Sequence, residues 1–274
     1  DVVAQLRQEH DVVAVGVGAA GFIDAGRERV LFAPNVAGWR DEPLRARVQE
    51  RVDLPVVIEN DANAAAWAEY RFGAGQGADP LVVVTVGTGI GSGIVSGGEL
   101  VRGHYGIAAE AGHLTVVPDG AWCGCGNRGC WEQYASGGAL TRKARERART
   151  APTRATAMLA LAGDVDGIHG EHVTRAARDG DALAREVFDE VGDWLGRGLA
   201  TIAALLDPEC FVVGGGAGDA GDLLLGPARV AFARHLTGHD HRPLADIRAA
   251  RFGNDAGVIG VADLARRAQA APAA

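Results

Sequence analysis

Gly16-Val-Gly-Ala-Ala-Gly21, at the end of the apolar run Asp11–Val17, is the stretch on which the fold class turns. It matches G-x-G-x-x-G, and Asp41 lies at about the distance expected of a ribose-binding carboxylate. A dinucleotide fingerprint must open a helix. Here the chain runs instead into a turn, Phe22-Ile-Asp-Ala-Gly26, and then into a second extended run, Arg29–Phe32. Glycine-rich turns between apolar runs favour a hairpin over a nucleotide-binding helix start.

Strand and helix signals alternate outward from there. Pro43–Val52 has helical spacing and stops near Pro55, and Pro55–Glu59 is a short β run. That run delivers Asn60-Asp61 to the mouth of an alanine-rich helix, Ala62–Phe72. Leu81–Val86 is a strong strand that empties into Gly87-Thr-Gly-Ile-Gly-Ser-Gly93, then Ile94-Val95 and a Gly97-Gly98 turn, a glycine-laced hairpin. Further helices are expected over Gly138–Arg149, Ala155–Leu161, His172–Asp179 and Ala182–Leu206, with a loop across Arg149–Thr156. The Ala182 helix stops at Asp207-Pro208, as proline demands. A buried strand, Cys210–Val213, leads into Gly214-Gly215-Gly216, and Gly257–Ala268 closes the chain as a helix. The class is α/β.

Composition narrows the chemistry. The 274 residues have room for two modest lobes or one large domain, and 47% hydrophobic content supports a core. A net charge of -8 argues against non-specific nucleic-acid binding. No apolar stretch approaches the roughly 20 residues of a membrane span. Lys143 is the sole lysine, so there is no Walker lysine and no spare Schiff-base lysine. The chain begins with Asp1 rather than methionine and is expected to be a fragment or a processed product.

His113, Cys123, Cys125 and Cys130 have the character of a metal shell. Three of the four cysteines fall within eight residues, with Gly124, Gly126 and Gly129 between them. A Cys3His set closes a tetrahedron suited to structural Zn²⁺. A disulfide is the first competing reading. Cys123 and Cys125 are too close to bridge easily, Cys210 sits in an apolar core run, and no signal peptide is visible, so a reducing, cytoplasmic compartment is expected. A nucleic-acid-binding zinc ribbon would normally have two paired knuckles.

Other candidate groups stand beside ordinary structural roles. Two glycine-rich strand exits, after Val86 and after Val213, are placed to cradle a nucleotide, with Thr88 adding a hydroxyl; equally, they are tight turns. Asp61, at a strand-to-helix junction, suits a general base that accepts a hydroxyl proton. On spacing alone, the simpler role for it is the N-cap of the Ala62 helix. Glu110 and Glu132 flank the metal ligands and suit sugar hydroxyls, or support of the metal from behind. His113 is expected to put one ring nitrogen on zinc and turn the other toward a hydroxyl. The arginines of Arg142–Arg149 are expected on a solvated helix face, and His239 and His241 in a polar loop.

In order along the chain, Glu59-Asn-Asp-Ala-Asn63, Val86-Gly-Thr-Gly-Ile-Gly91, Glu110-Ala-Gly-His113, Cys123-Gly-Cys-Gly-Asn-Arg-Gly-Cys-Trp-Glu132 and Val213-Gly-Gly-Gly216 resemble the ROK family of repressors and sugar kinases, and within it the zinc-containing glucokinases. The resemblance implies an α/β, actin-like ATPase (ribonuclease H-like) fold with two lobes and a cleft. The small lobe would be residues 1–72, completed by the closing helix 257–274, and the large lobe 73–256, with the zinc knot at 113–130. It implies transfer of the γ-phosphoryl group of Mg²⁺·ATP to the 6-hydroxyl of glucose. Asp61 then looks like the catalytic base. Asn60, Glu110, His113, Glu132 and Asn35 look like sugar contacts, and Thr88, Gly89 and Gly216 like nucleotide contacts. His113, Cys123, Cys125 and Cys130 look like the Zn²⁺ ligands. Relatives are commonly homodimers or homotetramers.

The family opens on an Asp-x-Gly-Gly-Thr hairpin that grips ATP phosphates and that this chain lacks, so that hairpin and part of the ATP site are expected upstream of residue 1. Ala20 stands where the family often has proline, and Ser92 where it often has glycine. A family kinase for another hexose, such as N-acetylmannosamine or fructose, and a sugar-sensing transcriptional regulator stay open as alternatives.

Overall fold

The computed structural model describes residues 2–33, 36 and 38–270. The chain starts with helix α1 (Val2–Glu9), strands β1 (Val15–Ala19), β2 (Phe22–Ile23), β3 (Val30–Phe32) and β4 (Arg40–Glu42), and helix α2 (Leu44–Gln49). Strand β5 (Val56–Asn60) leads directly into helix α3 (Asp61–Phe72). Strands β6 (Leu81–Val86), β7 (Ile90–Ser96) and β8 (Glu99–Leu100) follow, and after a long irregular stretch helices α4 (Glu132–Ala135), α5 (Gly137–Thr150), α6 (Thr156–Ala162), α7 (Gly170–Arg178) and α8 (Ala182–Leu206). Strand β9 (Cys210–Gly214), helix α9 (Asp222–His235), strand β10 (Asp246–Ala249) and helix α10 (Ala256–Ala270) complete it.

The five-stranded sheet has the order β10-β9-β6-β7-β8. Its centre, β6, pairs antiparallel with β7 and parallel with β9. An unbroken run of Leu and Val signals a strand covered on both faces. Along β6, Val82, Val84 and Val86 pack with Phe211, Phe188, Leu199 and Phe232 under the long helices. Leu81 and Val83 pack on the other face with Trp67, Ala66 and Leu264 of α3 and α10. Beside this sheet, β1 runs parallel to β5, with Ala19 opposite Asn60, and β2, β3 and β4 form a small antiparallel sheet. α10 lies across α3, β1 and β5.

Gly16–Gly21 opens no helix. Gly21 turns at φ 128° into β2, which pairs with β3 as a hairpin. The turn lies one step later than Phe22–Gly26 suggested, because Phe22 and Ile23 are themselves paired strand residues. Asp41 is exposed and pairs with Arg29 at 2.7 Å, in the small sheet. α3 starts at Asp61, and its N-cap is Asn60, whose side chain accepts from the N–H groups of Ala62 and Asn63. The cap role expected for Asp61 therefore belongs to its neighbour. α2 is shorter than Pro43–Val52, while α1, β4, β10 and α9 had no clear sequence signal. In α9, Gly226 and Pro227 are sequence breakers, yet the helix persists because its apolar side is seated on α8. Gly196 of α8 allows this approach: a Cβ there would sit 2.2 Å from Ala228 O.

α3 and α10 cross equally closely. A Cβ at Gly260 would lie 1.7 Å from Ala64 O, so only glycine fits. Gly260→Ala must push the two helices apart and is expected to lower unfolding stability by about 3 kcal/mol, as overpacking of a filled core does. Urea denaturation checks this; an unchanged midpoint would contradict the crossing.

Candidate active site

The site begins at the junction of β5 and α3. Glu59 is fully buried. Its Oε2 meets the guanidinium groups of Arg27 at 2.8 Å and Arg102 at 3.0 Å. Its Oε1 accepts from Asn60 N at 2.9 Å and Asn63 Nδ2 at 3.2 Å. The Asn60 side chain caps α3 with its oxygen and donates through Nδ2 to Gly21 O at 3.1 Å. Asp61 follows as the first residue of α3, its backbone fixed from both sides. Its Oδ1 accepts from Ala62 N at 2.9 Å. The side chain is solvent-accessible but walled by the cleft. Loss of hydration raises its pKa, and hydrogen bonds from the backbone amides of Ala62 and Asp61 pull the other way.

The cysteine segment folds on itself through short turns. Cys123 N donates to Asn127 O at 2.9 Å, Gly126 N to Cys123 O at 3.0 Å, and Gly129 N to Ala121 O at 2.8 Å. Gly129 has φ 75°, and a Cβ there would strike Val117 O at 1.7 Å. The ligand atoms of His113, Cys123, Cys125 and Cys130 lie within 4.8 Å of one another. His113 points Nδ1 at Cys123 Sγ, 3.6 Å away, and turns Nε2 toward Glu110 Oε2 at 4.0 Å. Cys125 and Cys130 sulfurs are 3.6 Å apart. With Zn–S of about 2.3 Å and Zn–N of about 2.0 Å, the edges of a tetrahedral shell are about 3.5–3.8 Å, so the donor set fits Zn²⁺. All four cysteines are free thiols, and burial raises the pKa of Cys123 and Cys130. Cys210 is in the core.

Glu132 is held between the knot and the first glycine loop. Its Oε1 accepts from Cys123 Sγ at 2.9 Å, and its Oε2 from Ile90 N at 3.4 Å. A Cβ on Gly89 would stand 2.5 Å from Glu132 Oε2, so the glycine makes room for this carboxylate. Glu110 has its pKa raised to about 7, first by burial and then by the nearby charges of Asp61 and Glu132.

Asn60, Asp61, Glu110, His113 and Glu132 all line one cavity of about 340 Å³. Asn35 lies outside the described residues. A second cavity of about 1220 Å³ adjoins it, and Gly87 and Gly216 line both. Thr88 faces the larger cavity, whereas Gly89 lines the smaller one beside the carboxylates. The larger cavity is also lined by Arg142, Arg145 and Arg149 of α5 and Arg175 and Arg178 of α7. Arg142, Arg147 and Arg149 are exposed, as expected of a solvated face, while Arg145 is half-buried and anchored on Ile168 O at 2.9 Å and Arg149 pairs with Asp166 at 2.5 Å. The spacing of Arg142, Arg145 and Arg149 by three and four residues, one helix face, was the available signal. Asn254, just before α10, also lines the smaller cavity and had no sequence signal. His239 pairs with Asp240 at 3.1 Å on the surface.

The glycine-rich strand exits of the α/β sheet thus lie between a cavity walled by carboxylates and one rimmed by arginines. Residues 1–268 match the profile of the ROK family, and the chain belongs to that family. It is 54% identical over 261 residues to a glucokinase of Streptomyces coelicolor, covering 95% of this chain and 82% of the relative. Its structure superposes on that of a ROK family glucokinase from Streptomyces griseus in complex with glucose and AMPPNP. The TM-score is 0.91 at 55% identity, covering 97% of this chain and 86% of the other. A ROK hexokinase from Thermus thermophilus matches with TM-score 0.77 and 35% identity over 94% of this chain and 80% of that one. The architecture is the actin-like ATPase fold of ROK sugar kinases.

Proposed function

We propose that this protein is an ATP-dependent glucokinase that transfers the γ-phosphoryl group of Mg²⁺·ATP to the 6-hydroxyl of glucose. The observation that carries this reading is the shared wall: the carboxylate cavity holding Asp61 and the larger cavity are both lined by Gly87 and Gly216. A sugar hydroxyl beside Asp61 would therefore lie next to a phosphate seated at the glycine loops. The similarity to glucokinases at 54% and 55% identity supports glucose as the sugar and ATP as the donor.

In this mechanism Asn60, Glu110, His113 Nε2 and Glu132 receive and orient sugar hydroxyls, with Asn35 as a further contact. Asp61 accepts the proton of the attacking hydroxyl during in-line transfer. Thr88, Gly216 and Gly89 border the phosphate path, where backbone N–H groups can approach phosphate oxygens. Arg175 and Arg178 supply positive charge at the rim. Mg²⁺ arrives with ATP as part of the substrate. His113, Cys123, Cys125 and Cys130 would hold a structural Zn²⁺, whose four positions are filled by protein and which therefore supplies rigidity rather than Lewis-acid chemistry. We place the division between a small and a large lobe at residues 72 and 73, with α10 completing the small one, and expect catalysis to rest on positioning as the lobes close. The free thiols suit a reducing, cytoplasmic setting, and no described helix is long and apolar enough to cross a membrane. A homodimer or homotetramer is the expected assembly.

Asp61→Asn is expected to lower kcat by about 10³-fold, the scale of a lost general base, while calorimetry still detects glucose binding. In the unsubstituted enzyme kcat/KM should rise with pH, because only ionised Asp61 accepts a proton. Its raised pKa should place that acid limb above the ordinary aspartate value of 3.8. Retained turnover in Asp61→Asn would remove Asp61 as the base. For the metal, elemental analysis should find one zinc per chain, and X-ray absorption three sulfurs at about 2.3 Å with one nitrogen at about 2.0 Å. Stripping it should weaken glucose binding more than ATP binding. Full zinc occupancy in His113→Ala would contradict the ligand set.

A further inference from the structure

Glu110 stands on a segment with little regular structure of its own. Ala109 has φ 70°, in the left-handed region that non-glycine residues seldom occupy, and Glu110 has φ -79° and ψ 51°. A single buried side chain reaches both peptide units that flank it. Ser92, in β7, is 6% exposed. Its Oγ donates to Ala109 O at 2.5 Å and accepts from Ala111 N at 3.1 Å. A serine hydroxyl has one proton to donate and lone pairs to accept with, and here both functions are used on residues 109 and 111. Within β7, Ser92 lies between Gly91 and Gly93, which have no side chains with which to replace it. The strand holds the same segment at a second point, where Gly112 approaches so closely that a Cβ would sit 2.2 Å from Ile90 O. Ser92 also borders the carboxylate cavity.

We propose that Ser92 is a positioning residue for Glu110: its hydroxyl pins the peptide units on either side and thereby aims the Glu110 carboxyl at the sugar. This rests on the sugar-kinase reading of the cavity. In this reading Ser92 acts on the reaction through Glu110 rather than on the reacting atoms themselves. Without the hydroxyl, Ala109 O and Ala111 N lose their partner, the left-handed turn at Ala109 relaxes, and Glu110 leaves its register with Asp61 and Glu132.

The test is a double-mutant cycle of Ser92→Ala with Glu110→Gln on the full-length enzyme, reading KM for glucose, KM for ATP, kcat and Tm. Ser92→Gly, which also lacks the hydroxyl, runs beside Ser92→Ala so that the outcome does not hang on the folding of one variant. Ser92→Ala is expected to raise KM for glucose about tenfold, the effect of one or two net hydrogen bonds, with KM for ATP unchanged. In the Glu110→Gln background the same change should add less than about twofold, because coupled sites are non-additive. A fall in Tm with KM for glucose unchanged, or a full tenfold effect that persists in Glu110→Gln, would overturn the proposal. If the unsubstituted enzyme phosphorylates no glucose at all, it is the assigned function that fails rather than the role of Ser92.

Discussion

The site depends on a carboxylate, Glu59, that is fully buried away from bulk solvent. A charge in that position is tolerated only when paired and hydrogen-bonded, and stripping one partner from such a pair typically costs about 3–5 kcal/mol. Glu59 meets this demand with two guanidinium groups and two N–H donors. The partners come from separate parts of the chain. Arg27 comes from the turn between β2 and β3, and Arg102 from the segment after β8. Arg102 also donates to Asp24 O and Ala25 O at 2.9 Å, so it clasps that turn as well as Glu59. One carboxylate thereby joins the small antiparallel sheet, the edge of the large sheet and the start of α3. Asn60 and Asp61, the next two residues, inherit their positions from it.

A second constraint opposes the first. Asp61, Glu110 and Glu132 crowd one cavity, and the pKa of Glu110 is raised first by its burial and then by the charges of the other two. The chain keeps them together by hydrogen bonds from neighbouring groups and by chain geometry rather than by attraction for one another. Glu132 follows the cysteine knot directly and fills the space that Gly89 leaves open. Glu110 is set three residues before His113 and is pinned from β7. Acceptors held close in this way are suited to a ligand rich in hydroxyl donors and poorly suited to an anion. The neighbouring cavity, bordered by five arginines, has the opposite character.

The parts legible in the sequence were those fixed by local physics. Leu81–Val86 and Ala182–Leu206 are found at the bounds the pattern implies, because an unbroken Val/Leu run and a 25-residue helix ended by Asp207-Pro208 leave little choice. The rejection of a dinucleotide fold also rested on local turn chemistry. α9 was invisible because Gly226 and Pro227 oppose a helix locally, while the stabilising contact with α8 comes from elsewhere in the chain. The exchange of roles between Asn60 and Asp61 had a similar origin: both residue types cap helices, and only the position of Gly21 O, brought alongside by β1, singles out Asn60. At the site, the four residues that could hold a metal announced themselves by spacing. The grouping of Asp61 with Glu110 and Glu132 came through family resemblance, since no spacing rule joins residues on different elements. The α5 arginines are largely solvated, as the sequence implied, but nothing in their own helix says that the arginines of α7 stand across the same cavity. Ser92 stood out only as a departure from the family's usual glycine, and its link to residues 109 and 111 is set by the loop it meets.

The central claim is that the cavity of Asp61, Glu110 and Glu132 takes glucose, whose 6-hydroxyl receives the γ-phosphoryl group of a nucleotide seated across Gly87 and Gly216. The most direct test is sugar-dependent ADP release from Mg²⁺·ATP by the full-length protein, with glucose run beside mannose, fructose and N-acetylmannosamine. The account predicts ADP and sugar phosphate formed in equal amounts, with the highest kcat/KM for glucose. Protein that binds glucose yet releases no ADP with any of these sugars would contradict it.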